Sequence, residues 1–324
     1  MRGVAPRQAG VWPPVAVFMI CAALVLVAWS LSTFPPHPEQ GLLKSVGYFS
    51  DPGGEMTVAE VAQSATFEPV AGVVTRGYSH DAHWLRLILA PDPAGGRLIL
   101  TVGVPNLDRI SLFTPDTGKR WTEMRSGDQI AFKDRPWKSP LLGFVLPGFA
   151  TAEQTIYLRV QTSGTSAMLV NLAPEAETYA RLLRMGLVQA LYYGLMITAL
   201  GLAVGLYFYS GDTVLLWFAA SHLAYTLMTA SFSGYVSVAL PMVATHGLTS
   251  VLTIASGILN SLFHLQLLQR FAPARVMLLI GWAVAAAQVL TLGINLVGDE
   301  TLGLALSMLL TTFAVLFFTV LAFT

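Results

Sequence analysis

The sequence predicts a two-part protein: an antiparallel β-sandwich exported from the cytoplasm, residues 35–184, then an all-α polytopic membrane bundle, residues 185–324. Three observations predict it. First, 54 % of the 324 residues are hydrophobic and only 11 % are charged, where a soluble domain has about 25 % charged residues. Second, residues 35–184 hold 29 of the 36 charges, whereas residues 185–324 hold only Asp212, Arg270, Arg275, Asp299 and Glu300. Third, the charged segment alternates apolar and polar residues with period two. Net charge is zero, so no general field favours nucleic acid, and the low polarity excludes a disordered chain.

Residues 1–34 come first. Val15–Trp29 is a short apolar run behind Arg2 and Arg7, which fits either a cleaved signal peptide or a retained anchor. The only cysteine, Cys21, lies inside it, so neither an intrachain disulfide nor a thiolate zinc site is available.

In the exported segment, Thr57-Val58-Ala59-Glu60 has capping-box spacing and predicts a short helix over Thr57–Gln63. Leu85, Leu87 and Leu89 share one strand face, with Trp84 and Arg86 on the other. Leu98, Leu100, Val102 and Val104 alternate next, and Ile156, Leu158 and Val160 alternate with Tyr157, Arg159 and Gln161. Shorter runs at Arg109–Phe113, Leu142–Leu146 and Met168–Leu172 are separated by turn sequences such as Ser126-Gly127-Asp128. Glu175, Glu177, Arg181 and Arg184 in the connector Ala173–Arg184 predict a short helix leading directly into the membrane.

Thr213–Gln269 contains no Asp, Glu, Lys or Arg over 57 residues, too long for one crossing of a roughly 30 Å hydrocarbon layer. It must turn, and Ser233–His246 with Gly234 and Pro241 is the place. The expected spans are Met185–Tyr209, Thr213–Phe232, Gly247–Leu268, Val276–Leu296 and Leu302–Phe323. Arg270 and Arg275 put the Gln269–Arg275 loop in the cytoplasm, which places the charged segment outside and leaves the N-terminus inside. Gly201 and Gly205 form a small-residue stripe expected to pack within the bundle. His222, Asn260, His264, Gln266, Gln288 and Asn295 are expected to bond between helices. The last run reaches Thr324 without a polar exit, which predicts a longer natural chain.

Trp84-Leu85-Arg86, Pro105-Asn106-Leu107-Asp108, Arg125-Ser126-Gly127-Asp128 and Ile156–Gly164 together resemble the exported sensor domain of a bacterial receptor family. That family is the seven-transmembrane receptors with diverse intracellular signalling modules, here with the extracellular type 2 sensor. Leu191-Tyr192-Tyr193-Gly194-Leu195-Met196 resembles the opening of its membrane domain. The resemblance implies a jelly-roll-like β-sandwich similar to carbohydrate-binding modules, then seven spans and a cytoplasmic cyclase, kinase or phosphatase. This sequence departs from that pattern, with five spans and no output module.

No catalytic constellation stands in the sequence, no cofactor is implied, and an enzyme is not expected. His80-Asp81-Ala82-His83 is the one cluster with metal-ligand character, but third and fourth ligands are not identifiable, so no metal site is assigned. The ligand-contact candidates are Trp84, Arg86, Arg135, Trp137, Tyr157 and Arg159. Sugar rings stack on aromatic faces, and the guanidinium fork suits hydroxyls or a carboxylate. The same residues also serve as core and loop ties in sandwiches.

The leading reading is a sensory receptor in the bacterial inner membrane. Its periplasmic sandwich binds a small molecule, a carbohydrate or a small acid, and biases the helix bundle. The partners are that ligand and the lipid bilayer, not nucleic acid, and a homodimer stays open. The alternative is a transporter or channel component with an exported capture domain; the lack of charge within the spans disfavours it. A tethered glycan-active enzyme would need paired carboxylates whose separation the sequence does not reveal.

Overall fold

Alternation becomes pairing in the computed structural model, which describes residues 41–70, 72–78, 81–92, 95–116, 120–148, 152–271 and 274–322. The strands are Leu43–Asp51 (β1), Glu68–Val70 (β2), Val74–Tyr78 (β3), Ala82–Leu89 (β4), Leu98–Val102 (β5) and Arg109–Pro115 (β6). Trp121–Ser126 (β7), Leu142–Leu146 (β8), Gln154–Gln161 (β9), Thr165–Met168 (β10) and Val170–Pro174 (β11) complete them. A six-stranded sheet runs β2-β1-β4-β9-β6-β7, a three-stranded sheet runs β11-β5-β8, and β3 pairs with β10. All pairings are antiparallel. The run Val15–Trp29 lies outside the described residues.

The period-two leucines form the core. Leu85, Leu87 and Leu89 of β4 and Ile156, Leu158 and Val160 of β9 meet Leu98, Leu100 and Val102 of β5 and Leu142, Phe144 and Leu146 of β8 in one buried cluster. The helix Val58–Ser64 (α1) starts on the expected capping box: Glu60 accepts from the Thr57 amide at 2.8 Å, and Thr57 Oγ1 accepts from the Glu60 amide at 3.4 Å.

The C-terminal part comprises Glu175–Ser210 (α2), Thr213–Phe232 (α3), Tyr235–Ala239 (α4), Leu248–Leu268 (α5), Arg275–Val297 (α6) and Glu300–Ala322 (α7). Five helices among the described residues are long and apolar enough to cross a membrane, and each holds one of the expected apolar runs. The expected span Met185–Tyr209 lies within the first of them, and the expected connector helix precedes it without a break. Strand β11 ends at Pro174 and α2 begins at Glu175, so the charged connector is the first part of a continuous 36-residue helix. At about 1.5 Å per residue it is about 54 Å long, well over the roughly 30 Å of hydrocarbon. The strand-to-helix corner is tied by the Glu175 amide, bonded to the Arg97 carbonyl at 3.0 Å, and by a two-pronged Arg97–Glu175 ion pair.

Helix α2 packs on α3, α3 on α5, α5 on α6 and α6 on α7. Interhelical bonds join His222 to the Met196 carbonyl at 3.1 Å and the fully buried Gln288 to Ser261 at 2.9 Å and Thr311 at 3.3 Å. His264 instead turns back to the Asn260 carbonyl in its own helix. The small-residue stripe does not pack the bundle as expected. A Cβ at Gly201 or Gly205 meets nothing within 4 Å, because α2 contacts α3 through the face carrying Gln189, Tyr193 and Met196. With five crossings, the Ser233–Gly247 and Gly298–Asp299 connections lie at the sandwich end. The Asp212–Arg270 ion pair closes the other end.

Candidate functional site

Register on the outer face of the large sheet sets Trp84 opposite Arg159 and Arg86 opposite Tyr157, so the predicted pairs form one four-residue patch. Helix α1 lies over it. Val61, Trp84 and Tyr157 are the centre of a second apolar cluster with Phe49, Phe67, Phe113 and Trp121 around them. Trp84 is 0 % exposed and donates its indole N–H to Asp51 at 3.3 Å. Arg159 spans to the Gly54 carbonyl at 2.7 Å, and Arg86 lies over the Phe67 ring at 4.6 Å. A ligand can therefore reach the half-buried rims of Arg86 and Arg159, but reaches Trp84 only if the cover moves.

Arg135 and Trp137 stand elsewhere. Arg135 is 2 % exposed, donates to the Ile130 carbonyl and bonds Ser237 of α4 at 3.2 Å, so it ties the sandwich to the bundle. Trp137 is also buried, against β8, where a Cβ on Gly143 would sit 2.8 Å from its ring. Of the His80–His83 cluster, His80 lies outside the described residues. His83 is buried, bonds Tyr48 Oη through Nδ1 at 3.0 Å, and burial lowers its pKa.

The sandwich rests on the bundle through three turns that the sequence quotes as motifs. Gly127 has φ +137°, and a Cβ there would lie 2.2 Å from the Asp108 carbonyl oxygen. Only glycine lets the Ser126-Gly127-Asp128 turn press so closely on Pro105–Asp108, and the Asp128 amide locks it to the Leu107 carbonyl at 2.9 Å. Thr162 and Ser163 then clamp the Asp108 carboxylate: Thr162 Oγ1 at 3.0 Å, the Ser163 amide at 2.8 Å and Ser163 Oγ at 2.9 Å. From the bundle, the Thr245 and His246 amides both donate to the Asp128 carbonyl, at 3.0 and 3.2 Å. Glu300, at the start of α7, accepts from Ser163 at 3.2 Å and Ser250 at 2.5 Å, and Thr301 bonds the Ser163 carbonyl at 2.9 Å.

These contacts enclose a cavity of about 130 Å³ lined by Asn106, Asp108, Asp128, Ser163, Ser250 and Glu300 among others. Beside it, the His246 imidazole stands between three carboxylates. Nδ1 is 3.5 Å from Asp128 and 3.7 Å from Asp108, and Nε2 is 3.2 Å from Glu300. Contacts with Asp128 and Glu300 raise the His246 pKa to about 10 despite partial burial, so the ring is an imidazolium at neutral pH. Burial pushes the Asp128 carboxyl upward, opposed by His246.

The family model described as 7TMR-DISM extracellular 2 matches residues 43–173, from the first residue of β1 to the penultimate residue of β11. This domain belongs to that family. The chain is thus a membrane protein whose 7TMR-DISM extracellular 2 domain continues into five helices able to span a bilayer. No curated protein matches it. Among solved structures, TmCBM61 in complex with β-1,4-galactotriose is similar at a TM-score of 0.24 and 11 % identity, over 42 % of this chain and 93 % of that one. The GH31 α-xylosidase from Xanthomonas citri gives 0.22 at 10 % identity, over 41 % of this chain and 14 % of its own.

Within the 7TMR-DISM domain the structure joins four predicted residues in the α1-covered patch and assigns Arg135 to the joint. Sequence reasoning missed Asp108, Asp128, His246 and Glu300 as one group. The signal available was topological: their loops all fall on the exported side, and two of them carry acids beside turn residues.

Proposed function

We propose that this protein is a sensory receptor of a bacterial plasma membrane, with the 7TMR-DISM domain in the periplasm. A small molecule bound there redistributes the helix bundle between two arrangements. A ligand does this only through different affinities for the two. The observation that carries the reading is the mechanical continuity: β11 becomes α2 with no linker, while Asp128 and Arg135 grip the Ser233–Gly247 connection and Ser163 the first turn of α7. A displacement of the sandwich is then a displacement of the spans. Extracellular placement of the domain, with an odd number of crossings, leads to a cytoplasmic Arg270–Arg275 end, in line with the basic-loop rule. The proposed contact surface for a carbohydrate or small acid is the Arg86 and Arg159 rim, where fork donors lie beside aromatic faces.

The test uses the full chain in lipid nanodiscs. Thermal shifts are screened against sugars and small organic acids, and any hit is followed by a spin-label distance between the sandwich and the Asp212 end of the bundle. A hit that raises the melting temperature and changes that distance supports a receptor. A hit that leaves the distance unchanged, or flat melting curves across both classes, contradicts it.

A further inference from the structure

Asp108 and Asp128 come from the sandwich and His246 from the bundle, and one ligand atom of each lies within 4.8 Å of the others. Three carboxylates, counting Glu300, stand 3.2 to 3.7 Å from the two ring nitrogens of one imidazole, with Asp108 and Asp128 buried and His246 at the open side. The nearby guanidiniums are engaged with other groups: Arg109 with Gln129, and Arg135 with the Ile130 carbonyl and Ser237. Arg135 acts on Asp128 only through space.

Two acceptors point to what is needed. Asp128 is 4 % exposed, and its Oδ1 has no closer hydrogen-bonding donor than His246 Nδ1 at 3.5 Å; Asn106 Oδ1 also lacks a donor, and both residues line the cavity. Acceptors turned inward without donors are satisfied by ordered water or by a cation, and the two carboxylates beside the imidazole favour the cation. The surrounding groups are set as they would be around a metal. Asp108 is held by three donors, and Glu300 can take the Nε2 proton of His246, leaving Nδ1 free to face Asp108 and Asp128. A carboxylate behind the imidazole fixes the tautomer and strengthens the ligand.

We infer that Asp108, Asp128 and His246 form a divalent-cation site that rivets the extracellular domain to the membrane bundle. Two carboxylates with one imidazole suit a first-row ion such as Mn²⁺ or Zn²⁺ rather than Ca²⁺ or Mg²⁺, which take oxygen ligands throughout. Glu300 is a positioning residue, and Asn106 offers a further oxygen to a bound water or to the ion. The inference does not rest on the receptor reading: a cation can bind here whether or not the protein signals.

The full chain in detergent is stripped with chelator and titrated with Mn²⁺, Zn²⁺ and Ca²⁺, reading bound metal per chain and melting temperature. Retention of one Mn²⁺ or Zn²⁺ per chain with a raised melting temperature is expected, along with much weaker Ca²⁺ binding. His246→Gln and Asp128→Asn should abolish retention, and Glu300→Gln should weaken it about 10- to 100-fold. Far-ultraviolet circular dichroism and elution volume certify each variant's fold. If a variant misfolds, the Co²⁺-loaded native chain decides: visible d–d bands with an imidazole ligand uphold the site. Absence of any retained ion and of any melting shift at millimolar Mn²⁺ and Zn²⁺ overturns it, as does unchanged binding in a folded His246→Gln chain.

Discussion

Gly234→Ala should lift the sandwich off the bundle without unfolding either part. Gly234 sits between α3 and α4 at φ +78°, and a Cβ there would lie 2.1 Å from the Pro140 carbonyl oxygen and 3.1 Å from the Pro105 side chain. Ordinary contact begins near 3.4 Å, so the two surfaces must part by about 1.3 Å at this point. The left-handed backbone adds about 1–2 kcal/mol for any residue with a Cβ. Three backbone bonds span the joint, from the Lys133, Thr245 and His246 amides, each worth about 0.5–1.5 kcal/mol. A loss of at least about 1.4 kcal/mol in joint stability is a tenfold loss of amide protection. Hydrogen exchange of the full chain reads this directly at Lys133, Thr245 and His246, with core strand β9 as the internal reference. Gly186→Ala in α2 is the control, since its Cβ meets nothing within 4 Å. It should leave the joint unchanged and stabilise the helix by about 0.5–1 kcal/mol. Unaltered protection at the three amides in Gly234→Ala would refute the docking described above.

Trp84→Ala should destabilise the extracellular domain by about 3–5 kcal/mol, because a fully buried indole leaves a cavity under α1. Arg86→Ala should cost only about 0.5–1 kcal/mol, the scale of its contact with Phe67, and thermal unfolding separates the two. Arg135→Ala removes bonds of a charged donor to Ile130 and Ser237, each worth about 1.5–3 kcal/mol, and should raise exchange at the Thr245 and His246 amides while sparing β9. Burial holds the His83 pKa below its ordinary 6.5, so the unfolded chain binds the proton more readily. Stability should therefore be level with respect to this group above about pH 6.5 and fall as the pH drops below it. Melting curves from pH 8 to 5, taken as the difference between the native chain and His83→Gln, check the sign.

The membrane helices and most strands were legible because their signals are local. A 57-residue stretch without Asp, Glu, Lys or Arg has few alternatives to lipid, and leucines at period two mark which strand face is inward. Thr57 and Glu60 announced α1 through a three-residue motif. What α1 covers was not legible. Period two separates Trp84 and Tyr157 from the core face but does not say that a seven-residue helix will close over them. The run-in to the first span was legible as well: Glu175, Glu177, Arg181 and Arg184 fit a helix leading directly into it, and α2 runs unbroken from Glu175 to Ser210. The acidic cavity was hidden by distance along the chain: His246 follows Asp108 by 138 residues, and Glu300 lies further still. Only parity of the crossings brings their loops to one side.

The central claim is that the extracellular domain and the bundle move as one coupled body. Spin labels at Gln63 on α1 and Tyr209 at the far end of α2, in a full chain with Cys21 replaced by serine, measure it in nanodiscs. Rigid coupling through the β11–α2 corner and the Asp128 joint predicts a single narrow distance distribution that broadens on Gly234→Ala. A broad distribution in the unsubstituted chain, unchanged by Gly234→Ala, would contradict it.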